Sequence, residues 1–403
     1  MPRIGGAVQR PLIYSENQVK DDAQQKVENR LVWLSWAVGL GLIAGLLLSP
    51  KLWVSTRTYP STPLLGLPPL PYPADYLLFG LFGALIVGAT ALSLRGRAAA
   101  LLAAAALGVS AFLVFEDQSR LQPWFYEYSF MFAAISLRRW DRLDAEGVLN
   151  ACRLIVAGTY FWSGLQKANA GFFNVVYPWL IEPLTLRLPS IEPALLHGAY
   201  AVPVVESGIG LGLLTSRFRK PAIIAALLMH AFILFCLGPW GRSWNTVVWP
   251  WNAAMVAFVF ILFWRPPDSP STLAILKPAS RLSLGTGFRA AVLVLFALMP
   301  LFSFFGLWDS YLSSSLYSGN TKEGYILTYE ASGLESTSVS DLSMREMNVP
   351  AYPEERVFKE VFASLCEGAR LPEPILRVRG TPDIFSGERR DELYRCDEVR
   401  HAG

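Results

Sequence analysis

The sequence predicts an all-α polytopic membrane protein of about nine transmembrane helices, followed by a small C-terminal α/β domain outside the cytoplasm. Three observations lead there. Of 403 residues, 53% are hydrophobic and 17% charged, and the mean hydropathy of +0.35 is high for a water-soluble chain of this size. Apolar runs near twenty residues, the length of helix that crosses a bilayer core, recur through the first three quarters. Basic residues collect at alternate ends of those runs. The composition excludes a disordered chain. A net charge of +3 gives no field for a polyanion, so no nucleic-acid partner is expected.

Residues 1–30 form a polar tail (SENQVKDDAQQKVENR) with no cleavable signal, and the first apolar run, already of spanning length, is expected to act as a signal anchor. The expected spans are 31–49, 76–94, 98–115, 123–137, 146–165, 194–215, 221–239, 245–264 and 288–306. The fourth run (WFYEYSFMFAAISL) is short and carries Glu127, but Arg138 and Arg139 stop it as they would a true span. With nine spans and the N-terminus inside, 17 Lys and Arg lie on the cytoplasmic side and 6 on the outer side, while Arg153 snorkels to the inner face. Without the fourth span the later basic clusters would lie outside. This places a transmembrane domain at 31–306 in the plasma membrane, a bacterial inner membrane, with its N-terminus cytoplasmic.

Residues 307–403 change character. They hold 11 Lys and Arg against 17 Asp and Glu, a net of −6 that leaves +9 on the membrane part. GYILTYEA and PILRVRG have strand character, and EERVFKEVFASLCEGAR has helical spacing, ending before Gly368 and Pro372. The topology puts this domain in an oxidising compartment, where Cys366 and Cys396 can pair. Cys152 and Cys236 fall in spans and read as inert apolar residues. The only histidines are His197, His230 and His401, with no Cys/His cluster, so neither a metal site nor haem is expected.

An ionisable group within a bilayer costs about 2.5–3.5 kcal/mol unless it faces protein or water, which singles out a few positions. Glu206 lies about 18 Å below the outer surface at 1.5 Å per residue, near the midplane. His230 is close to the midplane of the next span, Asn252 about 10 Å below the outer surface, and Lys167 at the outer rim. Two readings stand for each. Glu206 and His230 either bond to one another or to a backbone carbonyl and lock two helices, or they line one cavity with Lys167 and Asn252. Lys167 is otherwise an interfacial lysine beside Tyr160, Phe161 and Trp162. Asp117, Gln118, Arg120 and Gln122 are either a solvated outer turn or a polar lid over the cavity mouth. ESGIGLG has the small residues that let membrane helices approach closely.

The run YFWSGLQKANAGF resembles the signature of the horizontally transferred transmembrane (HTTM) domain family, to which the vitamin K-dependent gamma-carboxylases belong. VVESGIGLGLL, SRFRK and MHAFILFCLGPW leading into NTVVWPWN are similar to that family's acidic helix, basic turn, His-containing helix and polar loop, so the resemblance spans about residues 30–265. It implies proton transfer with a hydroquinone at Lys167, aided by Glu206 and His230. It also implies an isoprenoid or quinone pocket around Tyr160, Trp162, Gln166, Asn169, Trp249 and Asn252. Where the carboxylases carry a histidine in the helix corresponding to QPWFYEYSF, this sequence has Trp124 or a neighbour, so the lipid pocket is implied more strongly than glutamate carboxylation. The same YFWSGLQK run resembles the smaller DoxX-like and MauE-like membrane proteins. The expectation is therefore a lipid- or quinone-binding membrane protein open to the outer side, a quinone-linked redox or modifying enzyme. The alternatives are a structural or assembly subunit whose C-terminal domain grips an extracytoplasmic or membrane protein partner, and, third, a transporter.

Overall fold

The computed structural model describes residues 16–400 apart from 65, 67, 94–95, 141, 267–269, 277–282, 331–332 and 368–372. Residues 1–15 of the polar tail, with Arg3 and Arg10, lie outside the described residues, as do Arg95, Lys277, Arg281, His401 and the helix stop at Gly368 and Pro372.

Helices occupy all nine apolar stretches. They are α1 (Glu16–Leu48), α2 (Ala74–Ala91), α3 (Gly96–Glu116), α4 (Pro123–Arg139), α5 (Ala145–Gln166), α6 (Tyr177–Thr185), α7 (Glu192–Gly198), α8 (Ala201–Leu214), α9 (Arg219–Leu237), α10 (Val248–Phe263), the short α11 (Thr272–Leu276) and α12 (Leu284–Leu293). The last continues as helix to Phe305. Five of these helical stretches are long and apolar enough to cross a membrane, and a sixth counts if α7 and α8, bent by 55° where they join, are one crossing. In α1, Leu31, Leu34, Val38 and Leu42 are buried at helical spacing, while Trp33 and Leu40 on the other face stay exposed. A helix apolar all round with one face uncovered is what lipid contact requires.

The remaining expected spans differ for physical reasons. The helices α4 and α10 have 17 and 16 residues, short for a crossing, and α5 carries polar groups. Nearly all of α5 is buried, so the surrounding helices relieve it of the need to be apolar. Arg153 does not snorkel to the inner face as the sequence suggested. It is fully buried, donates from Nε to the Leu262 carbonyl at 3.0 Å near the C-terminus of α10, and from Nη1 to Asn150 Oδ1 at 2.8 Å. The negative end of a helix dipole stabilises a cation there.

The tightest packing is between α5 and α8. A Cβ added to Gly164 would lie 2.3 Å from the Ser207 backbone nitrogen, and one on Gly210 would lie 2.6 Å from the Ala157 carbonyl oxygen. Ser207 Oγ donates across the seam to the Phe161 carbonyl at 3.0 Å. Only glycine allows these backbones to touch.

The C-terminal unit is a four-stranded antiparallel sheet of β1 (Glu323–Glu330), β2 (Gly333–Ser338), β3 (Ile375–Arg379) and β4 (Asp391–Tyr394), in the order β2-β1-β3-β4. Its helices are α13 (Val339–Met347), α14 (Glu355–Cys366) and α15 (Cys396–Arg400). Phe358, Val361 and Phe362 of α14 are buried with Ile326, Leu376 and Val378 of the sheet, while Val357 packs with Tyr311 and Tyr352. A Cys366–Cys396 disulfide ties the end of α14 to the start of α15.

Overpacking the α5–α8 seam should cost about 1–3 kcal/mol. Gly210→Leu should therefore lower the melting temperature of the protein in detergent. Gly208→Leu, whose added Cβ meets nothing within 4 Å, should leave it almost unchanged.

Candidate functional site

The α5–α8 contact sets the site. Lys167 ends α5 and folds back along it, donating from Nζ to Ser163 Oγ at 2.7 Å and the Ser163 carbonyl at 3.1 Å. The same nitrogen lies 3.1 Å from Glu206 Oε1 and 2.9 Å from Oε2 on α8, and the two side chains are only 12% and 8% exposed. Glu206 thus pairs with Lys167, not with His230. Such a pair removes the cost of two isolated buried charges, provided both partners remain.

One helical turn or two further down, Tyr160 faces α9 and α10. Asn252 donates from Nδ2 to the Val248 carbonyl at 2.7 Å, and its Oδ1 lies 2.7 Å from His230 Nδ1. An amide oxygen only accepts, so Nδ1 of His230 carries a hydrogen. In the neutral ring Nε2 is then the acceptor, and the Tyr160 hydroxyl, 2.5 Å away, donates to it. The three buried groups form one hydrogen-bond chain of fixed direction, from the Tyr160 hydroxyl to His230 Nε2 and from His230 Nδ1 to Asn252 Oδ1.

Both sets line one cavity of about 160 Å³ between α5, α6, α8, α9 and α10. Its other walls are apolar, with Phe172, Leu180, Val202 and Phe232 among them. Ser314, Leu316 and Tyr317, from the segment leading into the C-terminal sheet, roof it. Tyr317 has φ of 55°, its ring lies near-parallel to Trp179 at 5.9 Å, and its hydroxyl accepts from Asn245 Nδ2 at 2.9 Å. Burial shifts this hydroxyl's pKa upward, so it stays neutral.

The structure brings Lys167, Glu206, His230, Tyr160 and Asn252 together. Gln166, Asn169, Trp162 and Trp249 are not in the lining. Gln166 Oε1 accepts from Asn320 Nδ2 at 2.6 Å, and Asn169 Nδ2 donates to the Ser318 carbonyl at 2.9 Å, so both hold the roof segment down. Trp249 donates to the Leu237 carbonyl at 3.0 Å, joining α10 to the end of α9. Trp162 is buried edge-on to Phe161.

Asp117, Gln118, Arg120 and Gln122 are neither a solvated turn nor part of the cavity mouth, because all four are buried against other chain segments. Asp117 pairs with Arg57, Arg120 with Glu116 and with the carbonyls of Leu52, Leu113 and Trp53. Gln118 accepts from Arg356 Nε at 2.7 Å, and Gln122 donates to the Pro350 carbonyl at 3.2 Å. Gln118 and Gln122 thus fasten this turn to the C-terminal domain, while Asp117 and Arg120 tie it to the loop after α1 and to the end of α3. Burial pushes the Asp117 carboxyl up, but Arg57 and then Arg120 pull it below its usual value. Glu360, on α14 near this corner, is pushed up to about 7 by burial and by the Asp117 charge, with Arg356 opposing.

Several lining residues carried no sequence signal of their own. Ser163 looks like any small helix residue. Tyr177 and Leu180 belong to α6, in a stretch expected to be an outer loop, although FFNVVYPWLIEPL is apolar enough to have hinted at a packed helix. Trp251 also lines the cavity and donates from Nε1 to Glu127 Oε2 at 2.8 Å, which gives Glu127 one partner deep in the bundle. Among the described residues, no group of three or more His, Cys, Asp or Glu could hold a metal ion.

Breaking one half of the Lys167–Glu206 pair should cost about 3–5 kcal/mol. Lys167→Met should lower the melting temperature, and Lys167→Met/Glu206→Gln should recover most of it. Glu360 is an acid with its folded-state pKa raised, so stability should fall as pH rises from about 4.5 to about 7 and then level off. Glu360→Gln should melt higher than the wild type at pH 8 and match it at pH 4, read from paired melting curves.

Comparison with protein-family models, with curated proteins and with solved structures finds no match to this chain.

Proposed function

We propose that the protein binds the head group of a quinone-type lipid in the cavity between α5 and α10 and exchanges protons with its ring oxygens. One observation carries this reading: a charge-neutral Lys167–Glu206 pair and a Tyr160–His230–Asn252 hydrogen-bond chain open into the same apolar cavity. A ring bearing polar oxygens on an apolar body matches such walls. The Lys167 ammonium can hold a ring oxygen as it becomes anionic. Tyr160 can take the proton from a ring hydroxyl while giving its own to His230 Nε2, which breaks one O–H bond and forms one N–H bond. The resemblance of YFWSGLQKANAGF to the HTTM and gamma-carboxylase group supports the same assignment of Lys167, and we extend it to membership of that group as part of the proposal.

The helices at all nine stretches and the inside bias of Lys and Arg support nine crossings with the C-terminal domain on the outer side of a plasma membrane. A second reading has one observation behind it. Strand β2 is an edge of the sheet, with Leu334 exposed, and an edge strand is a template for a protein partner. A stoichiometric protein that copurifies in mild detergent, with no quinone retained, would favour that reading.

The binding test uses a decyl-substituted benzoquinone and the full-length protein in detergent, followed by quenching of tryptophan fluorescence. Saturable binding by the wild type is expected. Lys167→Met/Glu206→Gln and His230→Ala should each weaken it by about tenfold or more, or about 1.4 kcal/mol. Wild-type affinity in both variants would sink the proposal.

A further inference from the structure

We infer that the ligand of this cavity is a single-chain lipid whose polar ring alone enters, while its apolar tail leaves sideways between α6 and α8 into the bilayer. This rests on the quinone-type reading above and adds the ligand's form and its route.

The argument begins with size. A cavity of about 160 Å³ is well below the ~300–1,000 Å³ of pockets that take a whole drug-sized ligand. It holds a head group, so a tail must lie elsewhere. The outer side is closed by Ser314, Leu316 and Tyr317, and Tyr317 is held there by Asn245 and Trp179. Of the polar groups that line it, Tyr160, His230 and Asn252 are buried, at 2%, 5% and 7% exposed.

The lining residues of α6, α8 and α9 that keep some surface are Leu180, Val202, Phe232 and Ile233 together with Met229, all of them apolar. An apolar rim on a lipid-embedded bundle opens to acyl chains, not to water. The packing around it agrees. Residues 172–199 build a small apolar cluster of their own from Phe172, Tyr177, Ile181 and Ala199, separate from the main core. Leu195, Val202 and Phe232 lie against that cluster. The α6–α7 hairpin is therefore attached by a thin apolar layer, and α7 meets α8 at the 55° bend. A tail running over this layer would replace lipid contacts with protein contacts of the same polarity.

Two experiments on the full-length protein decide the matter. In the first, a quinone carrying a photoreactive diazirine at the end of a decyl tail is crosslinked and the modified peptides are mapped. Adducts within residues 173–205 are expected. Adducts in the roof segment 311–320, or in none of these helices, would overturn the inferred route. In the second, Val176→Trp and Leu195→Trp, at residues that pack on the α6–α7 apolar layer but do not line the cavity, crowd the exit, and binding of the decyl quinone is compared with that of its methyl head-group analogue. The decyl ligand should lose about tenfold in affinity in at least one variant while the methyl analogue changes by less than about threefold. Equal loss of both ligands, or no loss of either, would overturn the route while leaving head-group binding intact. Failure of the wild type to bind either quinone would instead remove the head-group reading, and this inference with it.

Discussion

The site depends on the contact of α5 with α8. Gly164 and Gly210 bring two backbones closer than any other residue permits, and a side chain of any size at either would meet backbone atoms at 2.3–2.6 Å. That distance decides what Lys167 can do. With α8 beside it, the lysine finds Glu206 at 2.9 Å and becomes half of a neutral pair, where α8 further away would leave two buried charges without compensation. The seam also places Tyr160 and Ser163 on the cavity side of α5, since they lie seven and four residues before Lys167 on one helix face.

The second organising element is the C-terminal domain, which is part of the pocket's architecture. Its leading segment supplies the roof, and amides of the bundle hold that segment: Gln166 to Asn320, Asn169 to Ser318, Asn245 to Tyr317. At the far corner Gln118 and Gln122 bind the same domain to the turn between α3 and α4, a turn that the Arg57–Asp117 and Arg120–Glu116 pairs hold in place. Buried charge pairs of this kind add little net stability against apolar packing, yet they are costly to break, so they fix the shape of the turn on which the C-terminal domain rests. The +9 and −6 division of charge between bundle and tail thus coincides with two parts joined by directional polar contacts.

Much of the fold was readable along the chain. Apolar length located the long helices of the bundle, because a spanning helix must satisfy its backbone internally and present apolar surface to lipid. Strand character at GYILTYEA and PILRVRG and the amphipathic spacing of α14 located the C-terminal elements for similar reasons. The failures are as instructive. Residues 177–185 were read as an outer loop because the run is too short to cross and holds two prolines, whereas packing on α9 makes it a wall of the cavity. Charge in a span usually escapes to water, which predicts Arg153 at the inner face, but the Leu262 carbonyl near the end of α10 gives it a partner inside.

The candidate site divides along the same line. The sequence by itself determined which groups are anomalous: Glu206, His230 and Asn252 stand within apolar helices, and Lys167 ends one, so the energetic cost of burying them marks them without coordinates. Pairing was decided only by tertiary structure. Glu206 meets Lys167, His230 meets Tyr160 and Asn252, and Gln166 and Asn169 turn away to hold the roof. The physical reason is range. The cost of desolvating a charge is a property of one residue and its apolar neighbours in sequence, while a hydrogen bond is settled within about 3 Å. For Lys167 and Glu206 that precision comes from the glycine contacts between α5 and α8, helices adjacent in space and distant in sequence.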